Sequence, residues 1–395
     1  MTPSEKFVSE LCKSSFLPFW SFPNPKNKGD KELCDILVIC DPDIIIISVK
    51  DINIKRSGSL ETDFKRWYDR AIKSSVNQIH GAERVIQFKD YVILQDNATA
   101  IKLPLKEHRN IYRIAVTFGG NSKYPIIQGD LNDKGFVHVF DEITFNIVLK
   151  ELDTISDFVN YLRLKEQFLS SHIELSNVLD ENLLAFYLQN ERSFLVDEPG
   201  ADFIHIDSNL WEDYSNSSEY KNDKEELGIS YFWDKIITQL YEDFTDGKLI
   251  NKNSQEDMEI ALRIMNKESR FDRMKLSKIF LELLLPQTKN IVKARFSKLD
   301  TVGSPIYVFM GMSSAFREER KEELAHRCLA ARSLYEEKLK VIGIATDKMT
   351  EEKGFSIDLF YLDIPELPTE LKETAKIIRE ELGYFNRPKI YRMKE

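Results

Sequence analysis

Cysteine is scarce and scattered in this chain. Cys12, Cys34, Cys40 and Cys328 show no CxxC spacing, and the six histidines are dispersed. That pattern argues against a disulfide framework and against a zinc cluster, and fits free thiols in a reducing, cytoplasmic setting. No apolar run reaches the length of a membrane span, so no membrane partner is expected. The first residues, Met1 to Lys6, lack the charged and apolar blocks of a secretory signal. Glycine (15) and proline (13) are too few for a fibrous or disordered chain. Gly119-Gly120 stands outside any GxGxxG or GxxxxGK[ST] pattern, which removes the common phosphate loops. Ser313 and Ser314 lie outside a GxSxG elbow. Positive net charge is also missing: at −10 the chain does not look like a protein that coats nucleic acid nonspecifically.

The charge is unevenly spread. Residues 1–125 hold 19 Lys and Arg against 15 Asp and Glu, so the remainder carries −14. A basic N-terminal region on an acidic body is compatible with a local nucleic-acid site. At 395 residues, two or three domains are expected.

Helical spacing of Phe7, Val8, Leu11 and Cys12 predicts a helix over 4–17. Residues 35–40 and 44–50 are almost continuously apolar and read as two strands covered on both faces, joined by a turn at Asp41, Pro42 and Asp43. A long helix over 61–88 follows, then strands at 91–95, 100–105, 111–118 and 136–140. From 141 the pattern is helical, with 213–226 read as a polar loop or linker. The last hundred residues suggest a small α/β unit with strands at 306–310, 340–346 and 355–362 and helices at 315–338 and 369–382. On the first of those helices Arg317, Arg320, Arg327 and Arg332 alternate with glutamates, the pattern of a solvated face with paired charges. The expected organisation is a domain over 1–140, a mainly helical domain over 141–290 and a small α/β domain over 291–395.

The chemistry concentrates at 35–50. A tight hairpin turning near Pro42 pairs residues whose numbers sum to about 84 or 85, which sets Asp35 opposite Lys50 or Val49. Ser48 and Lys50 share a face, so a carboxylate, a hydroxyl and an ammonium converge at one end of two apolar strands. On the helix over 61–88, Phe64, Trp67, Ala71, Gln78, Ala82 and Val85 form one stripe, which places the Gln78 amide on the packed face. A buried amide needs partners, and the strand-end groups would supply them.

Asp35, followed thirteen residues later by Ser48-Val49-Lys50, resembles the PD-(D/E)xK nuclease superfamily over about residues 1–120. The resemblance implies an α/β fold: a restriction-endonuclease-like mixed sheet flanked by helices. It implies an Mg²⁺- or Mn²⁺-dependent nuclease acting on DNA. In it, Asp35 would be the first metal ligand, the Val49 carbonyl a backbone ligand, Lys50 the catalytic lysine and Gln78 the supporting helix glutamine. Glu10, or else Glu5, would be the helix glutamate. Ser48 departs from the pattern, because the second acid should stand there. Glu32, Asp51 and Glu10 are the candidates for the charge that position 48 lacks. Lys55, Arg56, Lys65, Arg66, Arg70 and Lys73 form a basic flank suited to phosphates. A homo-oligomer or a partner protein in prokaryotic defence against foreign DNA is the context that the resemblance suggests by analogy. The alternative is a catalytically inactive nuclease-like module that binds nucleic acid or protein.

Overall fold

The computed structural model describes residues 1–27, 31–120, 124–170, 174–175, 179–194, 203–247, 255–284, 293–299, 303–313, 316–335, 337–347 and 355–385. The chain divides into two compact units, Met1–Asp223 and Lys224–Glu395.

The first unit opens with α1 (Pro3–Phe16), which starts at a Thr2–Glu5 capping box. Strands β1 (Ser21–Pro23), β2 (Ile36–Cys40) and β3 (Asp43–Asp51) follow. Next come α2 (Leu60–Tyr68) and α3 (Ser74–Phe88), which run on from each other through one π turn, Asp69–Lys73. A small hairpin, β4 (Tyr91–Ile93) with β5 (Ala100–Lys102), leads to β6 (Asn110–Phe118) and β7 (His138–Asp141). Among the described residues, five strands form the main sheet in the order β1-β2-β3-β6-β7. The β1/β2 and β2/β3 pairs are antiparallel, and β3/β6 and β6/β7 are parallel. The sheet is therefore mixed, and α2–α3 form the crossover that joining parallel neighbours requires.

Both strands of the hairpin are buried on both faces, as their continuous apolar sequence predicts. One face carries Leu37, Ile39, Ile44, Ile46, Ala115 and Val139, packed under Trp67, Ile72, Val76, Ile79 and Ile86 of the crossover. The other face meets α1 and α4 (Glu142–Glu151), whose N-cap is Asp141. There Phe16 of α1 packs on Phe158 of α5 (Ile155–Leu169), and Phe140 packs on Phe145.

The π turn explains a difference from the regular-helix expectation. It carries one more residue than an α turn, so it resets the phase of everything after it. Ala71 and Ile72 are both buried, and the buried stripe of α3 runs through Ser75, Val76, Ile79, Ala82 and Ile86. Gln78 and Val85 move from the middle of the stripe to its half-buried margin.

The unit continues through β8 (Glu174–Leu175), α6 (Asp180–Gln189), β9 (Phe203–Ile204), α7 (Leu210–Asn216) and α8 (Ser218–Leu227), with β8 and β9 a short parallel pair. The stretch 213–226, expected as a loop or linker, contains the boundary between the two units but is helical. It lacks an apolar stripe and is held by aromatic contacts instead. Tyr220 packs on Trp211 and Tyr214, and its hydroxyl donates to Glu151 Oε1 at 2.7 Å.

In the second unit α9 (Tyr231–Thr245), α10 (Gln255–Asn266) and α11 (Arg270–Leu284) precede β10 (Lys293–Lys298) and β11 (Ile306–Gly311). Then come α12 (Arg317–Arg332), β12 (Lys340–Thr346), β13 (Ile357–Asp363) and α13 (Thr369–Leu382). The sheet order is β10-β11-β12-β13; in this sheet β11/β12 pair in parallel and β10/β11 and β12/β13 antiparallel. Ile306, Val308 and Met310 pack toward Leu324, Cys328 and Ala331 of α12. Tyr307 and Phe309 point the opposite way and meet Trp233. Gly343 lets α12 approach the sheet: a Cβ there would lie 2.4 Å from Cys328 Sγ. The helix at 317–332 is not simply a solvated face. Arg320 and Arg332 are buried, and Arg320 forms a two-nitrogen ion pair with Asp358, because strand β13 brings a carboxylate that helix spacing alone does not reveal.

The helical segment expected at 141–290 thus splits. Helix α4 packs on β6 and β7 in the first unit, whereas α9 and α11 pack on the sheet of the second. Among the described residues no helix is long and apolar enough to cross a membrane.

Candidate active site

The hairpin turn consists of two residues, Asp41 and Pro42, so paired residue numbers sum to 83, as in Ile36↔Ile47 and Cys40↔Asp43. Extending that register sets Asp35 across from Ser48, two residues before the Lys50 and one before the Val49 that the sequence offered. The shift keeps Asp35, Ser48 and Lys50 on one face, because side chains alternate along a strand and cross-strand partners share a face. It is the face covered by α3.

Four side chains meet there in one network. Gln78 Nε2 donates to Asp35 Oδ1 at 3.2 Å. Gln78 Oε1 accepts from Lys50 Nζ at 2.6 Å and from the Ser48 hydroxyl at 3.0 Å. Asp35 Oδ2 accepts the backbone N–H of Val49 at 2.5 Å and lies 3.7 Å from Lys50 Nζ. The amide thus offers its donor to the carboxylate and its acceptor to the ammonium. The reverse orientation would face like polarity on both sides. Ser75, a residue the sequence did not single out, pairs with Ser48 Oγ at 3.2 Å. Asp35 is 5% exposed and Lys50 25%, so the ammonium forms the solvent side of the network.

The neighbouring acids sort themselves by geometry. Glu10 faces solvent at 61% exposure and pairs with Lys13 at 3.2 Å, because the buried side of α1 runs through Val8, Ser9 and Cys12. It is not part of the site. Asp51 accepts from the Ser4 hydroxyl at 2.6 Å. Glu32 is the acid beside Asp35. Partial burial, the hydrogen-bonded Asp35 carboxyl and the charge of Glu5 push Glu32 above the ordinary glutamate range, against a hydrogen bond from Asn24 that lowers it. Asn24 also ties in through its backbone, donating to Asp35 O at 2.8 Å. Its side-chain oxygen is buried without a hydrogen-bond partner.

Among the described residues no three His, Cys, Asp or Glu side chains gather as a metal site. The oxygens beside Asp35 are nonetheless of one chemical kind: two adjacent carboxylates and an unpartnered amide oxygen. That donor set suits a hard dication, which binds through one or two carboxylates and keeps several waters.

The basic flank is exposed. Lys55 and Arg56 lie in the loop after β3, and Lys65, Arg66 and Arg70 stand on the outer side of α2 and the π turn. Lys73 pairs with Asp69 at 3.8 Å. His80 lies away from the network, against Glu83 at 3.3 Å, and Glu83 is bound in turn by Arg113.

Sequence reading missed a cleft at the C-terminal ends of β6 and β7. Its lining includes Trp67, Thr117, Gly119, Gly120, Tyr124 and Asp141, and it opens to solvent. Register links it to the network: Lys50 pairs with Thr117, and Thr117 with Asp141. The signal was hidden because the three residues come from three strands far apart in sequence. No protein-family model matches the chain, and no curated protein matches it significantly.

Proposed function

We propose that the first unit is a metal-dependent phosphodiester hydrolase of the PD-(D/E)xK kind, acting on DNA. The observation that carries this reading is the convergence of Asp35, Ser48, Lys50 and Gln78 in one hydrogen-bonded network at a strand end. Asp35 and Glu32 would hold a dication such as Mg²⁺ or Mn²⁺, with the Asn24 oxygen beside them. Glu32 then supplies the negative charge that Ser48 does not. The metal, when bound, activates water and neutralises charge on the phosphate.

Each side chain has a task that follows from its contacts. Gln78 fixes the Lys50 ammonium against Asp35, so the lysine is aimed before substrate arrives. Lys50, on the solvent side, stabilises the charge that develops on the phosphate oxygens. Ser48 and Ser75 hold the Gln78 carbonyl in place. The exposed cations Lys55, Arg56, Lys65, Arg66 and Arg70 offer phosphate contacts that position the strand without reading its sequence.

A second reading is a noncatalytic nuclease-like module. It is favoured by Ser48 and by the closure of the network, in which both Asp35 oxygens already have partners. Cleavage of plasmid and oligonucleotide DNA with Mg²⁺ or Mn²⁺ separates the two, using wild type, Asp35→Ala and Lys50→Ala, with metal binding followed by calorimetry. The hydrolase reading expects cleavage that both substitutions abolish. Cleavage that survives both would assign the activity elsewhere, and metal-free, inert wild type would leave the module.

A further inference from the structure

Between the network and α4 lies the cleft at the ends of β6 and β7, and its chemistry is unlike that of the basic flank. Its polar side chains include three acceptors, the carboxylates of Asp141 and Glu142 and the hydroxyl of Thr117, and a donor, the Trp67 indole N–H, which is buried without a hydrogen-bond partner. Thr117 Oγ1 donates to Phe140 O at 3.2 Å, so this hydroxyl offers only acceptor capacity to a ligand. Asp141 caps α4 through Oδ1, accepting Thr144 N at 2.8 Å, which leaves the other carboxylate oxygen for the cleft. With two carboxylates on its rim, the cleft repels phosphate, and the capped start of α4 is no anion site.

Its remaining walls are aromatic and apolar. The half-buried Tyr124 ring is backed by Trp67 at 5.3 Å and Phe64 at 6.0 Å, while Ile126 and Ile143 close the sides. Gly120 keeps the cleft rim close to this wall, since a Cβ there would lie 3.1 Å from the Trp67 ring. A supported ring beside unpaired acceptors fits a flat heterocycle that carries N–H donors.

Position supplies the rest. Lys50, Thr117 and Asp141 form one row across β3, β6 and β7. Neighbouring strands lie about 4.8 Å apart, so Asp141 is about 10 Å from Lys50 along the row, within reach of one nucleoside. We infer that this cleft receives an unpaired nucleobase of the substrate strand, stacked on Tyr124, with its exocyclic amine donating to Asp141 and Glu142. The inference rests on the hydrolase reading of the neighbouring site and deepens it. A base held in a duplex cannot enter such a cleft, so the substrate is single-stranded DNA or a strand with an extruded base. Bases with an exocyclic amine are preferred over thymine, because a carboxylate accepts from the amine and thymine has none.

The test is binding, read apart from cleavage. Fluorescence anisotropy of labelled single-stranded oligo-dC, oligo-dT and a GC duplex is measured with the full chain in Ca²⁺. Oligo-dC should bind about tenfold tighter than oligo-dT. Asp141→Asn keeps an N-cap acceptor and should erase that preference. Tyr124→Leu should weaken oligo-dC binding about tenfold through lost stacking. Equal affinity for dC and dT, or a preference untouched by Asp141→Asn, overturns the inference. Metal-dependent plasmid cleavage in the same preparation would then leave the hydrolase reading standing. Absence of both binding and cleavage overturns the two together.

Discussion

Glu268 offers a quantitative test of the second unit. Its carboxyl is almost fully buried, accepting from Tyr307 Oη at 2.8 Å and Ser304 Oγ at 3.3 Å. Burial is the largest influence and raises its pKa, the Asp272 charge adds to the rise, and the Tyr307 and Ser304 hydrogen bonds and Arg273 oppose it; the result is about 7, against an ordinary 4.5. Below pH 4.5 the carboxyl is neutral in folded and unfolded chain alike. As pH rises from there, the unfolded chain ionises first, so the folded state loses relative stability until pH passes about 7. Each pH unit of difference is worth about 1.4 kcal/mol, so the loss totals about 3 kcal/mol. Trp233, the one tryptophan of this unit, packs edge-on against Tyr307 at 5.4 Å and reports locally. Urea unfolding followed by its fluorescence should show stability falling between pH 5 and pH 8. Glu268→Gln keeps an acceptor for Tyr307 and Ser304 but cannot ionise, and should flatten the profile. An equal decline in wild type and in the glutamine variant would refute the argument, as would no decline in either.

Two further substitutions test packing and the network. Gly343→Ala should cost about 1–3 kcal/mol by driving a methyl into Cys328; thermal denaturation should show most of the loss restored in the double variant with Cys328→Ala, and independent effects would contradict the close approach of α12. Gln78→Leu removes the amide between Asp35 and Lys50 and should destabilise the first unit by about 1–3 kcal/mol. A double-mutant cycle with Lys50→Met should give a coupling above about 0.5 kcal/mol, and strict additivity would deny the contact.

Much of the first sheet was legible because its strands are apolar without interruption, a pattern that only burial on both faces rewards. The face shared by Asp35, Ser48 and Lys50 was legible for a simpler reason: Ser48 and Lys50 stand two apart, so a register that opposes Asp35 to either one puts it on their face, whereas opposing it to Val49 would turn it away. Other parts depend on partners distant in sequence. Strand β10, Lys-Ala-Arg-Phe-Ser-Lys, is a polar edge that gains its definition from β11. Arg320 looks solvated until Asp358 arrives from β13. The resemblance offered Glu10, or else Glu5, as the helix glutamate, and only the packing of α1 turned Glu10 outward. Glu32 was one of three candidates for the charge missing at position 48, and only the fold of the loop singles it out as the acid beside Asp35.

The π turn between α2 and α3 has a consequence for how this unit can change. In a straight helix, Trp67 and Gln78 would be fixed in one rotational frame, so any adjustment of the aromatic end would swing the polar end with it. The extra residue turns the second frame by a fixed angle relative to the first. Trp67 can thereby face the cleft while Gln78 faces the charges at the strand ends, both on one continuous crossover. The length of the turn that separates them is the dimension that must stay constant.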